Sequence, residues 1–280
     1  MKNSVLKKVM MGLCAGLAMA MLAGCGKQEE KKPAAGAAKA DKGGVIKVAT
    51  TATFPPFEYI DSKTGKFTGI DIDIANAVAA KLGKKVEVTD MKFASLIPTL
   101  QSGRADMVIS GISPTDERSK VVSFTKPYFF PPKAIVAKKG TGYTDLQKLI
   151  GKKAGATMGT TYVNELKSVK GINVVELDSA TMAVQDVLNG RLDATVCDGT
   201  HGIVFVKEHP ELEMHMLKPS TSNNDTFAIA FKKDSPNVEK VNKILDEMKK
   251  NGEFRKILVK HMGEEQTAEY EKKIAELGVK

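Results

Sequence analysis

The sequence predicts an α/β protein built as two lobes, each around its own sheet. Three observations carry that expectation. From residue 44 onward, strand-like and helix-like apolar patterns alternate with short connections between them. The run Met107-Val108-Ile109 is apolar at every position, as expected of a strand covered on both faces. One phrase occurs twice, as TLQSGRADMVISG at 99–111 and VLNGRLDATVCDG at 187–199.

The N-terminus stands apart from this pattern. Lys2, Lys7 and Lys8 precede an apolar run from Val9 to Leu22, which ends in Leu22-Ala23-Gly24-Cys25. That order of parts is a signal peptide. A Cys directly after Leu-Ala-Gly resembles the bacterial lipobox, in which the Cys is lipidated and becomes the first residue. Residues 1–24 are therefore expected to leave. Cys25 with the Lys-, Ala- and Gly-rich stretch to residue 43 would form a lipid anchor and flexible tether. This predicts a protein outside the cytoplasmic membrane, at the cell surface or in the periplasm. No other apolar run approaches the roughly 20 residues that span a bilayer.

Within the folded part, Val45–Thr50 is a β-rich run. Ile74, Ala75, Val78, Ala79 and Leu82 fall at helical spacing and Gly83 stops the helix. Val86–Val88 follows as a strand. Ser95 is placed to cap a helix carrying Leu96, Ile97 and Leu100, with Pro98 in its first turn. In the repeated phrase, Gly103 and Gly190 end helices, Asp106 and Asp193 open strands, and the strands run out at Ser110-Gly111 and Cys197-Asp198.

Ligands of open parallel sheets bind beyond the carboxyl ends of strands. Two facing sheets would present SGISPTDER (110–118) and Asp198 across one cleft. Arg118 offers a planar fork for a carboxylate, Gly111 lets backbone approach closely, and Ser113 adds a donor. Asp198 offers an anion for an ammonium group. The pair complements the head of an amino acid. The residues alone leave open a surface pairing of Arg118 with Asp116 or Glu117.

The chain carries net charge +9 on 280 residues, with 42% hydrophobic residues and no Trp, which is ordinary globular composition. Its lysines are scattered without interleaved aromatics, so nucleic acid is not an expected partner. Once Cys14 leaves with the signal and Cys25 is lipidated, only Cys197 remains. No internal disulfide or zinc-type spacing follows.

Taken jointly and in order, ATTATFPPFEY (49–59), GKFTGIDIDIANAVAAKLG (65–83), FASLIPTLQSGRADMVISGISPTDER (93–118), VSFTKPYF (122–129) and NGRLDATVCDG (189–199) resemble the polar-amino-acid-binding proteins of bacterial ABC uptake systems, solute-binding family 3. The resemblance implies the type II periplasmic-binding-protein fold. Lobe one would be 44–136 plus 225–263 and lobe two 137–224, with hinge crossings near Ala134–Lys139 and Thr226–Phe231. It implies a monomer that closes around an L-amino acid and delivers it to a permease with its ATPase, without a cofactor or metal. Carried over residue by residue, it gives the ligand carboxylate to Arg118 and to Thr160 and Thr161 at a helix start. The head groups go to Ser110, Gly111 and Ser113, the ammonium to Asp198, and the side chain to Phe54 and Phe93.

Some relatives carry an acid where this chain has Thr51, and the missing anion leans the expectation toward a neutral ligand such as glutamine. Glu58, Asp178 or Asp225 could supply the charge instead. The tail after Gly263, with Tyr270, Ile274 and Leu277 at helical spacing, is expected to form an extra amphipathic helix over 264–280.

Catalytic signatures are missing: there is no G-x-S-x-G, H-E-x-x-H or P-loop, and the histidines have no cysteine neighbours. Asp71 and Asp73 look like helix-start acids. His201, three residues past Asp198, comes nearest the expected cleft. A binder is therefore expected rather than an enzyme. The alternatives are a dehydratase of the cyclohexadienyl type on the same fold, with Asp198 or Glu58 as proton donor, and a ligand-sensing module for a membrane receptor.

Overall fold

A computed structural model describes residues 43–218, 222 and 225–278. The expected leader, Cys25 and the tether up to residue 42 lie outside the described residues. Among the described residues, no helix is long and apolar enough to cross a membrane.

β1 (Val45–Thr50) opens the fold with Val48, Ala49 and Thr50 buried. β2 (Thr53–Phe54), β3 (Glu58–Ile60) and β4 (Phe67–Thr68) form a small antiparallel sheet beside it. Gly69 then turns the chain into α1 (Ile70–Lys81) at φ 126°. A Cβ at Gly69 would lie 2.1 Å from the Phe57 carbonyl oxygen, so only glycine fits there. The expected stripe of α1 is buried at Ile74, Ala75, Val78 and Ala79.

β5 (Lys85–Asp90) runs parallel to β1. A 3-10 turn at Phe93–Ser95 feeds directly into α2 (Leu96–Gln101). Ser95 therefore does not cap by its hydroxyl: its own backbone is helical (φ −89°, ψ −11°), whereas a capping residue needs an extended one. β6 (Met107–Val108), the short helix α3 (Asp116–Ser119) and β7 (Val122–Phe124) complete this run.

The second sheet begins at β8 (Lys133–Lys138). It continues through β9 (Lys153–Thr157), α4 (Thr161–Ser168), β10 (Asn173–Leu177), α5 (Ala180–Leu188), β11 (Ala194–Asp198), α6 (Gly199–Glu208) and β12 (Leu212–Met216). The chain then returns to the first sheet with β13 (Ala230–Lys232) and ends in α7 (Asn237–Lys250), α8 (Glu253–Met262) and α9 (Glu264–Glu276). The strand orders are β5-β1-β6-β13-β7 and β10-β9-β11-β8-β12.

β8 shows why its sequence is apolar between its terminal lysines. Ile135 and Ala137 face the core under α4, with Val163 and Leu166, while Val136 faces the core under α5, with Val184 and Val187. Alternation along the strand thus feeds two covered faces. This moves the expected boundary. β8 pairs with β11 and β12 along its whole length, so the chain leaves the first lobe at 130–132, before the expected division at 136. The second expected crossing, 226–231, also belongs to the first lobe: Phe227 bridges Phe129, and β13 pairs with β6 and β7. The first run is a strand of the second sheet, and the second packs within the first lobe, ending in β13.

The repeated phrase has a shared physical cause. Asp106 accepts the Lys47 N–H at 2.9 Å and donates its own N–H to the Lys47 carbonyl at 2.8 Å. Asp193 does the same with Lys153, at 2.8 Å both ways. Each Asp therefore fastens an inner strand to its parallel neighbour; β6 then runs into the 109–115 loop and β11 directly into α6.

Candidate functional site

Between the sheets lies a cavity. Of the residues named from the sequence, Thr51, Phe54, Phe93, Ser110, Gly111, Thr160 and Asp198 line it, together with Glu58. Arg118 lines an adjoining space with Gly159, and Phe93 borders both. Ser113 and Thr161 are not in the cavity wall. Ser113 offers its carbonyl to Arg118, and Thr161 is the first residue of α4.

Arg118 is held in place by backbone carbonyls. Its Nη1 donates to the Ser113 carbonyl at 2.8 Å and its Nη2 to the Gly159 carbonyl of the other lobe at 2.8 Å. The guanidinium carbon lies 5.4 Å above the Phe93 ring centroid. Among the described residues, no carboxylate forms an ion pair with it, so the surface pairing with Asp116 or Glu117 is not formed. Burial lowers its pKa to about 10.

Asp198 ends β11 and caps α6, its Oδ1 accepting the His201 N–H at 2.7 Å. It is fully buried, its Oδ2 has no hydrogen-bond partner, and burial raises its pKa to about 7. Adjoining spaces between the lobes thus hold a half-buried cation and a buried carboxyl group, neither with an ionic partner among the described residues. Such groups are costly unless something pairs them.

The floor is a network of acids. Ser110 Oγ donates to Glu58 Oε1 at 2.5 Å and accepts the Thr51 N–H at 2.9 Å. The Gly111 N–H donates to Asp71 Oδ2 at 2.8 Å, and the Tyr128 hydroxyl donates to the same carboxylate at 2.8 Å. Gly111 sits at φ 51°, where a Cβ would come 2.6 Å from the Phe54 ring. Burial, followed by the charge of Asp71, raises the Glu58 pKa well above its ordinary value. Burial raises Asp71 to about 6 against the lowering effect of the Gly111 and Tyr128 hydrogen bonds. Asp71 is therefore more than a helix-start acid, as only the fold brings it beneath the 110–111 loop. Asp73 does face out, paired with Lys260 and His261.

Thr53, Thr157, Tyr162, Ser179 and Ala180 also line the cavity without having been singled out from the sequence. Tyr162 directly follows Thr160 and Thr161, the helix-start residues named from the sequence, and Thr53 lies inside the phrase ATTATFPPFEY, so a signal was present for these two. Of the three acids considered as a substitute at Thr51, two are engaged elsewhere. Asp178 pairs with Lys92 across the lobes at 2.7 Å, and Asp225 pairs with Lys133 at 3.0 Å. Glu58 alone of the three lines the cavity, and burial together with a hydrogen bond shared with Asp71 helps to keep it protonated. His201 is buried between Phe54 and Phe205, with ring centroids 5.0 and 4.0 Å away, and burial lowers its pKa to about 3.

The profile of the bacterial extracellular solute-binding proteins, family 3, matches residues 46–264. The chain belongs to this family. It is 34% identical over 213 residues to the arginine-binding extracellular protein ArtP of Bacillus subtilis, spanning 75% of this chain and 83% of that one. Among solved structures, an ancestral arginine-binding protein bound to arginine is 40% identical with a TM-score of 0.74, covering 78% of this chain and 98% of that one. An ancestral arginine-binding protein bound to glutamine is 42% identical with a TM-score of 0.74, covering 79% and 98%. The fold is the type II periplasmic-binding-protein fold expected from the sequence. Family members of this kind bind amino acids for ABC transporters and act outside the cytoplasmic membrane.

Proposed function

We propose that this protein binds an L-amino acid between its lobes and delivers it to an ABC permease, as a carrier and not an enzyme. One observation carries the reading: Asp198 is buried and Arg118 half-buried, opposite in charge and, among the described residues, without ionic partners, in adjoining spaces between the lobes. A zwitterion supplies the missing anion and cation together. The N-terminus of α4 adds donors for the carboxylate. Its N-cap residue, Thr160, makes no side-chain cap, because its hydroxyl donates to the Thr157 carbonyl at 2.6 Å. Phe54 and Phe93 would then border the ligand side chain.

The side chain is the finer question. The lean toward glutamine rested on the missing acid at Thr51, and Glu58 supplies an anion in its place. A cationic side chain such as that of arginine would draw Glu58 into its ionised form and pair with it, in keeping with the name of the Bacillus relative. Glutamine is the second reading: a protonated Glu58 would donate to its amide, and burial beside Asp71 favours the proton. Calorimetric titration at pH 7 with L-arginine, L-lysine, L-histidine, L-glutamine and argininamide decides. L-Arginine should bind most tightly and argininamide, which lacks the carboxylate, at least about 100-fold more weakly. Glu58→Gln should weaken arginine about tenfold and leave glutamine unharmed. A wild-type preference for glutamine would overturn the cationic reading alone, whereas silence across the panel would overturn the carrier itself.

For location, the lipobox-like Leu22-Ala23-Gly24-Cys25 supports anchoring by lipid at Cys25. Cells fed labelled palmitate should label the wild-type protein and not Cys25→Ser. Equal labelling of the two would remove the anchor.

A further inference from the structure

The family match ends at residue 264, where α9 begins. This extra helix lies against α8, with Arg255 pairing with Glu264 and Glu271. Most of it is exposed; Thr267 is its one fully buried residue among those described. Tyr270 is the exception in what it touches. Its ring stacks flat on Phe129, with centroids 4.3 Å apart and planes 2° apart. Its hydroxyl accepts the Phe130 N–H at 3.1 Å.

Those two residues are where the chain leaves the first lobe. Phe129 bridges Phe227 of the returning segment, and Phe130-Pro131-Pro132 leads straight into β8. Phe129 also meets the edge of Phe57 at 5.0 Å, and Phe57 stacks on Phe54 at 5.0 Å. Phe54 lines the cavity and touches His201 of the second lobe. The tail helix therefore reaches both the crossing and, through two rings, the cavity wall. The lobes are in direct contact in this arrangement, through Arg118 to Gly159 and Lys92 to Asp178.

We propose that Tyr270 is a positioning residue for ligand capture, holding Phe129 and Phe130 at the crossing in the backbone geometry of the closed lobes. Two-lobed binders open by backbone rotation at such crossings. A hydrogen bond and a stacked ring of the closed state bias the balance toward it when rotation at the crossing breaks them. Ligand affinity scales with the fraction of molecules able to close. The inference rests on the carrier reading above, so its test includes a measurement without ligand.

Tyr270→Ala and Tyr270→Phe should be compared with the wild type by calorimetry with L-arginine and L-glutamine, and by small-angle scattering of the unliganded protein. Tyr270→Ala is expected to weaken binding about tenfold and to increase the radius of gyration. Tyr270→Phe keeps the stack and loses the acceptor, so it should fall between the two. A purely structural role would lower the melting temperature and leave affinity and radius at wild-type values, and that result overturns the proposal. Should Tyr270→Ala not fold, Tyr270→Phe decides on the same two readings. A wild type that binds neither amino acid counts against the carrier reading, and the scattering comparison then decides this one.

Discussion

Asp198→Asn is expected to leave the protein folded and to weaken amino-acid binding by at least about 100-fold, as expected when one partner of a buried ion pair is lost. The two oxygens of Asp198 have different tasks. Oδ1 caps α6 through the His201 N–H, and Asn caps a helix about as well as Asp. Oδ2 is the unpaired atom, and its charge is what an ammonium would meet. Asp198→Ala should lose the ligand as well, and in addition about 1 kcal/mol of stability from the missing cap.

The pH dependence follows from the direction of the shift. Burial raises Asp198 from 3.8 to about 7, so folding favours its protonated form. The stability it confers is full below about pH 4, is lost as the pH rises toward 7, and is absent above that. Unliganded Asp198→Asn should therefore melt higher than the wild type at pH 8, with the gap closing toward pH 4. Bound ammonium favours the carboxylate, so wild-type affinity should decline as the pH falls below 7. Glu58 and Asp71, also raised by burial, act with the same sign on the unliganded fold. Melting curves from pH 4 to 8 and calorimetry of the Asn variant check both statements. Retention of affinity within about threefold in Asp198→Asn would remove the ammonium assignment.

Arg118→Met should have a comparable effect from the opposite end of the ligand. Arginine has five N–H donors, and two are spent on the Ser113 and Gly159 carbonyls, leaving donors for a carboxylate. Charge-assisted hydrogen bonds contribute roughly 1.5–3 kcal/mol each, so losing a two-pronged contact implies an affinity loss of at least about 100-fold. The unliganded fold should change little. Methionine fills the space over Phe93 and removes a half-buried charge that has no ionic partner among the described residues, which offsets the loss of a donor to the Gly159 carbonyl; the Ser113 carbonyl still accepts the Thr115 N–H at 2.9 Å. Arg118→Lys keeps the charge and loses the planar fork, so it should recover only part of the binding. Thermal shift with 100-fold excess ligand over Kd reads the outcome: the rise of roughly 2.7 kcal/mol expected of the wild type should vanish in the Met variant. A full shift in Arg118→Met would mean the carboxylate is held elsewhere.

Much of this site was legible because the chemistry of binding leaves marks in sequence. A strand that ends in Ser-Gly and runs on to a lone Arg, and a second that ends in Asp, occupy matching places in a repeated phrase. Seven of the ten residues named as ligand-binding line one cavity, and Arg118 adjoins it through Phe93. The acids beneath them were not legible in the same way. Asp71 lies 40 residues from Gly111 along the chain, and its first-turn position on α1 gives an ordinary local reason for an acid. Glu58 was one of three candidates, and only the lysines that hold Asp178 and Asp225 reduce them to one. The crossings were misplaced for a related reason: a short β-rich run has the same composition whether it joins two lobes or lies in a sheet.

The sequence by itself determined the alternation of strands and helices, the doubled phrase, and the opposite charges at and beyond the ends of its two copies, while its resemblance to the family implied the two lobes. Those depend on periodicity, turn residues and side-chain chemistry, which are local. Only the tertiary structure decided which acid faces the cavity, where the chain passes between lobes, and that Tyr270 lies on Phe129. Each of these is a contact between segments far apart in the chain, fixed by packing and burial, and no local pattern encodes such a contact.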